Sequence, residues 1–128
     1  MKEIPPPLEN LTLRIVAMPH DANPDGDIFG GWLVSLMDIA GGSLAVHTSK
    51  ERVVTVAIDK LTFIRPVFIG DEVSCYTEVL KIGTTSIQIK IDVWVQRLKK
   101  GTGHKVTEGV FTYVAIDKNR RPIPVRKS

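Results

Sequence analysis

The chain has 128 residues, of which 43% are hydrophobic and 24% are charged, and this size and balance are typical of one globular domain with its own core. Its formal net charge of +3 is too mild to indicate a nucleic-acid-binding protein, and neither an aromatic platform nor a helix-turn-helix pattern accompanies the basic residues. The single cysteine, Cys75, excludes an intramolecular disulfide and makes a thiolate-rich zinc site implausible. We therefore expect a buried thiol at Cys75 and a single domain over residues 1–128.

The two ends of the chain and its longest apolar stretch predict where the protein works. Residues 1–10 (MKEIPPPLEN) hold no apolar run of the signal-peptide type, so we interpret them as an N-terminal extension of a cytoplasmic protein. The stretch 28–49 is a poor membrane span because it contains four glycines, three serines, a histidine and an aspartate, so we expect no membrane partner. Residues 118–128 (KNRRPIPVRKS) form a basic tail that we expect to lie on the surface.

The first elements in chain order are one strand and one helix. The segment 11–18 (LTLRIVAM) predicts a strand that ends at Pro19. Residues 19–27 are a dense cluster of turn-forming residues. Asp27 is the predicted N-cap of a helix that runs to about His47, because its carboxylate can accept hydrogen bonds from the first free N–H groups of the helix.

The rest of the chain predicts four strands in sequence. They are predicted over 52–64, 72–80, 86–95 and 105–116, and the third alternates apolar and polar residues without a fault. Glycines in the connections 82–84 and 99–103 fit hairpin turns. This order predicts an α+β fold in which a five-stranded antiparallel sheet packs on one helix. One helix covers only one face of such a sheet, and open edges are normally paired, so we expect an oligomer.

Asp38 is the only charged residue between positions 28 and 49. On a helix it shares a face with mostly small residues, and the other directions are apolar, which predicts a buried helix. One interpretation is structural, with the carboxylate pairing with a buried backbone donor or with a basic side chain across an interface. The other is catalytic, because a carboxylate withdrawn from water is a stronger general base. The residues that share its face are Gly31, Val34, Ser35, Gly41, Gly42 and Ala45.

The predicted helix start offers a partner for a catalytic carboxylate. The N–H groups of Gly30 and Gly31 have no helical acceptor, and a ligand oxygen can reach them because glycine has no side chain. They could polarise a carbonyl and stabilise the oxyanion that forms on attack. Asn23 could orient water or the carbonyl through its amide, although an ordinary turn asparagine is the simpler interpretation. The three histidines lack ligand-like spacing, so the sequence predicts no metal site.

Two long blocks carry a family resemblance. Residues 18–42 (MPHDANPDGDIFGGWLVSLMDIAGG) and 52–71 (RVVTVAIDKLTFIRPVFIGD) resemble the hotdog-fold acyl-CoA thioesterases, most closely the bacterial YciA-type branch. The similarity extends over residues 11–117. It implies a sheet wrapped around the long helix, active sites at a homodimer interface, and assembly of dimers into a trimer of dimers. The implied reaction is hydrolysis of acyl-CoA to free acid and coenzyme A, with coenzyme A as part of substrate and product and no separate cofactor.

The resemblance also implies roles for individual residues. Asp38 matches the catalytic aspartate, the glycines Gly30 and Gly31 match the thioester-polarising N–H position, and Asn23 matches an upstream polar position of the site. The coenzyme A positions of the family correspond to Val54, Thr55, Gly83, Thr84 and Ser86. Relatives often carry a basic residue where this chain has Thr84, so the phosphate contact falls to Lys81, Arg65 or the late basic residues.

The sequence leaves the mechanism open and allows three rival functions. Asp38 can act as a general base or as a nucleophile, and it can serve a site on its own protomer or on the facing one. A hotdog hydratase or dehydratase would need a histidine at the helix start, where His20 is the only one near. An acyl-CoA-binding protein without turnover is a second rival. A nucleic-acid binder is a third, and it rests on the basic tail alone.

Overall fold

A computed structural model describes residues 3–97 and 103–125 of the chain. The order of elements is strand, helix and four further strands, as the sequence predicts. Short 3-10 turns precede β1 (Leu8–Asn10) and follow it (Pro19–Asp21). The elements are β1 (Leu11–Val16), α1 (Gly30–Ser49), β2 (Arg52–Phe63), β3 (Glu72–Ile82), β4 (Ser86–Gln96) and β5 (Gly103–Ile116).

The five strands form one antiparallel sheet in the order β1-β3-β4-β5-β2. The predicted α+β class is confirmed, and the strand boundaries agree to within two residues. The strand β1 ends at Val16 instead of residue 18, because the backbone of Ala17 turns to exchange hydrogen bonds with Asp71 and Gly70. Most of the predicted hairpin over residues 99–103 lies outside the described residues.

The core lies between the helix and one face of the sheet. The inward side chains of β4 are fully buried, and the buried helix residues Leu33, Leu36 and Met37 pack against the same cluster. Each such side chain contributes roughly 1.5–3 kcal/mol through the hydrophobic effect. Cys75 belongs to this core as predicted, and burial raises the pKa of its thiol to about 12, which makes it unreactive at neutral pH.

The prediction that Asp27 caps the helix is wrong. The helix begins at Gly30, its N-cap is Phe29, and no side chain caps it. Asp27 instead forms an isolated β-bridge with Phe68, and its N–H donates to the side-chain oxygen of Asn23 at 3.1 Å. Asn23 closes a turn within the segment 23–27, and the chain then needs two more residues before it enters the helix. The helix start therefore keeps its N–H groups uncapped by any side chain.

One face of the helix is open in the single chain. The exposed fractions are 60% for Ile39 and 55% for Val56, and Val46 and Ile58 are also exposed. We call these four residues the open strip. The prediction of a helix buried all round is therefore wrong for one chain, because β2 is an edge strand and, among the described residues, no element lies beyond it. The finding agrees with the expectation that a second copy covers this edge.

The basic tail does not simply lie on the surface. After a turn at Asp117, the chain returns along β5, and the N–H of Ile123 donates to the carbonyl of Ala115. Val125 is buried, and its N–H donates to the carbonyl of Thr84 at 2.9 Å. Residues 118–125 thus brace the turn between β3 and β4, and residues 126–128 lie outside the described part. No helix in the described ranges is long and apolar enough to cross a membrane.

Candidate active site

Asp38 is held by two hydroxyl groups from neighbouring strands. The Thr55 hydroxyl donates to Oδ1 of Asp38 at 2.6 Å. The hydroxyl of Tyr113 lies 3.1 Å from the same Oδ1 and 3.1 Å from the backbone carbonyl oxygen of Asp38. Asp38 itself is half-buried, between buried helix neighbours and the open strip. Within one chain, neither donor is the backbone group of the structural interpretation.

Tyr113 is a site residue that sequence reasoning missed. It points inward from β5 and is fully buried, and its ring stacks on Phe111 with centroids 6.4 Å apart. Burial raises the pKa of its hydroxyl, and the negative charge of Asp38 raises it further, so the hydroxyl remains a donor. The hydroxyl of a buried tyrosine usually has a hydrogen-bond partner. The inward position of Tyr113 in the alternation of β5 was therefore the sequence signal that could have indicated a polar contact there.

One of two adjacent helix glycines, Gly41, makes room for this contact. A Cβ atom at Gly41 would collide with the Tyr113 hydroxyl and would lie 2.6 Å from Cδ1 of Ile91. At Gly42 a Cβ would only reach ordinary contact with the Tyr113 ring. Side chains of β4 and β5 fill the space beside Gly41, because these strands run directly beneath the helix.

Gly30 and Gly31 are the first two residues of the helix, as predicted. Within the described residues, neither of their N–H groups donates to a protein acceptor. A Cβ at Gly30 would lie 3.3 Å from the Phe63 ring, whereas nothing lies within 4 Å of one at Gly31. An open pocket of about 390 Å³ lies at this helix start, which we call the helix mouth, and its lining includes Asn23, Gly30, Phe63 and Arg65.

Asn23 uses only part of its side chain for the turn. Its Oδ1 accepts the N–H groups of Asp25 at 3.0 Å and of Asp27 at 3.1 Å. The amide NH₂ donates to no acceptor in the described part of the chain and belongs to a residue that lines the pocket. The turn interpretation is therefore correct for the oxygen, and the NH₂ group is available for the predicted ligand role.

The predicted coenzyme A positions come together at one end of the sheet. Val114 of β5 pairs with Ser86 on one side and with Val54 on the other. The N–H of Gly83 donates to the carbonyl of Ser86 at 2.8 Å, and a Cβ at Gly83 would lie 2.8 Å from the Ser86 hydroxyl. A side chain at Gly83 would therefore require the Ser86 hydroxyl to move. Thr55 lies next to this group, and its hydroxyl contact with Asp38 is a role that the prediction did not include.

The candidate phosphate-binding residues differ in their pairing. Arg65 is already engaged, because its guanidinium lies 2.7 Å from Glu3 and donates to the carbonyl of Lys105. Lys81 is exposed on β3 next to the turn and forms none of the ion pairs of the described residues. Arg120 and Arg121 are exposed in the turn after β5. Lys99, Lys100, Arg126 and Lys127 lie outside the described residues.

Within one chain the helix mouth and Asp38 are apart. Eight residues separate Gly30 from Asp38, which is about 12 Å along the axis at about 1.5 Å per residue. The first N–H groups of a helix point out of its N-terminal end, away from residue 38. Within one chain Asp38 therefore does not line the pocket at the helix mouth.

The sequence profile of the thioesterase superfamily matches residues 25–102. The acyl-CoA thioester hydrolase YciA of Salmonella typhimurium is 50% identical over 122 residues, which cover 93% of this chain and 92% of that protein. The chain belongs to the thioesterase superfamily. A hexameric thioesterase from Yersinia pestis matches with a TM-score of 0.87 and 48% identity, covering 91% of this chain and 95% of that one. A hexameric hotdog-fold thioesterase from Campylobacter jejuni matches with a TM-score of 0.87 and 43% identity over 91% and 90% of the two chains.

Membership of this family confirms the predicted hotdog fold and the predicted YciA-like acyl-CoA thioester hydrolase. The alternative of a hotdog hydratase or dehydratase gains no support from His20, because its side chain is 80% exposed and does not line the helix mouth. In the described part of this thioesterase, no group of three or more His, Cys, Asp or Glu side chains could hold a metal ion.

Proposed function

We propose that this chain hydrolyses acyl-CoA thioesters to a free acid and coenzyme A, with Asp38 as its catalytic carboxylate. The observation that carries the proposal is the position of Asp38, which two hydroxyl groups hold at the boundary between the core and the open strip. A carboxylate that served only the core would have no reason to lie at an open face. The family supplies the reaction class, and the geometry supplies the residue.

We further propose that each active site combines two protomers. The helix mouth and Asp38 of one chain are about 12 Å apart along the axis and face different directions. A second copy packed on the open strip would bring its own helix mouth toward Asp38. The N–H of Gly30 or Gly31 then binds the thioester oxygen, and Asp38 of the facing protomer attacks from the other side.

The chemistry at this composite site uses the groups described above. Asp38 either takes a proton from water, whose oxygen attacks the thioester carbon, or attacks that carbon itself to form an anhydride that water then hydrolyses. In both routes the free N–H groups of the helix mouth stabilise the oxyanion. The carbon–sulfur bond then breaks, and the sulfur of coenzyme A leaves as a thiol after taking up a proton.

Coenzyme A is proposed to follow the strand and turn at the end of the sheet. Val54 and Ser86 flank Val114 of β5 there, and the tight turn at Gly83 and Thr84 lies next to them. Lys81 is the basic residue of β3 nearest in sequence to this turn, and it forms none of the ion pairs found in the described part of the chain, so we assign it the phosphate contact. Arg65 is already paired with Glu3 and takes no phosphate role.

We propose a homodimer that assembles into a trimer of dimers. The relatives from Yersinia pestis and Campylobacter jejuni are hexameric thioesterases. A closed hexamer with dimer symmetry needs two different interfaces. The open strip supplies one, and a second apolar patch of exposed side chains at Met18, Phe68 and Ile69 supplies the other. A cytoplasmic location remains our proposal from the unpaired cysteine.

Release of thiol from acyl-CoA substrates of different chain lengths tests the proposed function. Asp38→Asn keeps the shape of the side chain and removes the base. We expect native turnover and a loss of at least ~100-fold in the variant, the scale of losing a general base. Binding of acyl-CoA by the native protein without any hydrolysis would favour a binding protein without turnover. Equal activity of both proteins would show that Asp38 is structural.

A further inference from the structure

The carboxylate of Asp38 is held unevenly. Both hydroxyl donors, from Thr55 and Tyr113, lie on Oδ1. Within the described residues Oδ2 accepts no hydrogen bond, and no lysine, arginine or histidine forms an ion pair with this aspartate. The two oxygens of one carboxylate therefore differ in what they can do, because Oδ1 is occupied and Oδ2 is available.

The two donors differ in rigidity. Thr55 is exposed on the edge strand β2, whereas Tyr113 is fully buried and packs beneath the helix. The Tyr113 hydroxyl is also within reach of the Asp38 backbone carbonyl, so it ties the side chain to its own helix turn. A buried aromatic ring has few rotamers to lose and therefore positions its hydroxyl well.

The helix accommodates this tyrosine at a cost. Gly41 lies one turn after Asp38, and any larger residue there would collide with the Tyr113 hydroxyl. Glycine destabilises a helix relative to alanine, because it is a poor helix former. The chain nevertheless has glycine at position 41, where the Tyr113 hydroxyl passes the helix to reach Asp38.

We propose that Tyr113 is a positioning residue that, together with Thr55, fixes Oδ1 of Asp38 and leaves Oδ2 as the atom that acts on substrate or water. Gly41 is the residue that admits the tyrosine hydroxyl. This inference rests on the proposed function of Asp38. It adds which oxygen of the carboxylate reacts and which residues position that oxygen. Tyr113 itself touches neither substrate nor the attacking water.

Removing the tyrosine donor has two expected consequences. Without it Asp38 samples more orientations, so kcat falls while the KM for acyl-CoA stays unchanged. The charged form of the carboxylate also loses a hydrogen bond, so protonation becomes easier and the acidic limb of the pH–rate profile moves to higher pH. Tyr113 is the titratable group hydrogen-bonded to Asp38, and it stays protonated because burial raises its pKa.

The test compares Tyr113→Phe with Tyr76→Phe. Tyr76 is the other tyrosine of the chain, and it is also buried but lies on β3 opposite Asp92. We expect Tyr113→Phe to lower kcat about 10- to 100-fold, the scale of losing one hydrogen bond to a charged group, and to shift the acidic limb. Tyr76→Phe should change neither. A native kcat and pH profile in Tyr113→Phe, or a change confined to KM, would overturn the inference.

A second measurement keeps the test valid if Tyr113→Phe folds poorly. In the Tyr76→Phe background Tyr113 is the only tyrosine, so biosynthetic 3-fluorotyrosine labels that position alone. Fluorine makes the hydroxyl a stronger donor without removing it, so the acidic limb should move to lower pH. The ¹⁹F signal should titrate with Asp38 and lose that titration in Asp38→Asn. An unmoved limb and a ¹⁹F signal insensitive to Asp38→Asn would overturn the inference.

These outcomes separate the two proposals. A native chain that hydrolyses acyl-CoA while Tyr113→Phe behaves like native protein contradicts the positioning role alone. If the labelled Tyr76→Phe protein shows the ¹⁹F titration but the native chain hydrolyses no acyl-CoA, the proposed function is contradicted, and the positioning role in catalysis fails with it.

Discussion

The centre of the sheet and its β2 edge contain the same kinds of apolar residue, but these residues differ in how far they are buried. In β4 the inward side chains Ile87, Ile89 and Ile91 are completely buried by the helix and by neighbouring strands. In the open strip, Ile39 and Val56 remain more than half exposed. The first region is complete within one chain, whereas the second has the composition of a core without the covering layer.

This difference explains the position of Asp38. Along the helix, Met37 and Gly41 face the completed core, and Ile39 faces the open strip. Asp38 lies between them, where a rigid core can hold one oxygen and an incoming surface can meet the other. A catalytic group needs both properties, since precise positioning requires packed neighbours and chemistry requires access.

The largest effect on assembly and activity is expected from a charge placed in the open strip. Ile58→Lys would place an unpaired ammonium group in the proposed interface, where desolvation is costly. We expect the solution mass to fall below that of the native oligomer and hydrolysis to fall more than about 10-fold, because each site would lose its partner half. Light scattering and thiol release measure the two effects.

Ile4→Lys is the matched control for this substitution. Ile4 is 86% exposed in the N-terminal extension and belongs to neither apolar patch. The solution mass and the activity of Ile4→Lys should remain those of the native protein. Native assembly and activity in Ile58→Lys would show that the edge β2 is not the interface.

In the buried centre of the sheet we expect a smaller effect, on stability and not on assembly. Ile89→Ala should destabilise the fold by about 2–5 kcal/mol, because it leaves a cavity in a tightly packed core. Denaturant unfolding measures this loss. Activity per folded molecule should fall far less than in Ile58→Lys, because Ile89 neither hydrogen-bonds Asp38 nor lines the helix mouth. A collapse of activity in fully folded Ile89→Ala would remove the distinction between the two regions.

Most of the fold was predictable because its signals are local. The alternation over β4 and the turn-rich connections depend on neighbouring residues, and the helix was evident from its small and apolar composition. The cap at Asp27 failed because Asn23 closes a turn over residues 23–27, which composition does not specify, and the helix begins only at Gly30. The prediction that the helix is buried on all sides failed because an apolar pattern does not tell whether the covering layer belongs to the same chain.

The candidate site was predictable only in part. Asp38, Asn23 and the glycines of the helix mouth lie close together in sequence, so one segment suggested them. The contact of Tyr113 with Asp38 joins residues 75 positions apart, and local periodicity carries no such pairing. The side chains that fill the space above Gly41 were likewise beyond a local pattern, since they come from β4 and β5.

The shared active site is tested most directly by mixing two inactive variants. Asp38→Asn lacks the carboxylate, and Gly30→Val closes the helix mouth with a branched side chain against Phe63. Random reassortment of equal amounts makes half of the dimers mixed, each with one intact site of two, so we expect recovery to about one quarter of native activity. Native mass spectrometry confirms that mixed oligomers form. Mixed oligomers that stay as inactive as either parent, or a Gly30→Val variant that is fully active alone, would contradict the shared site.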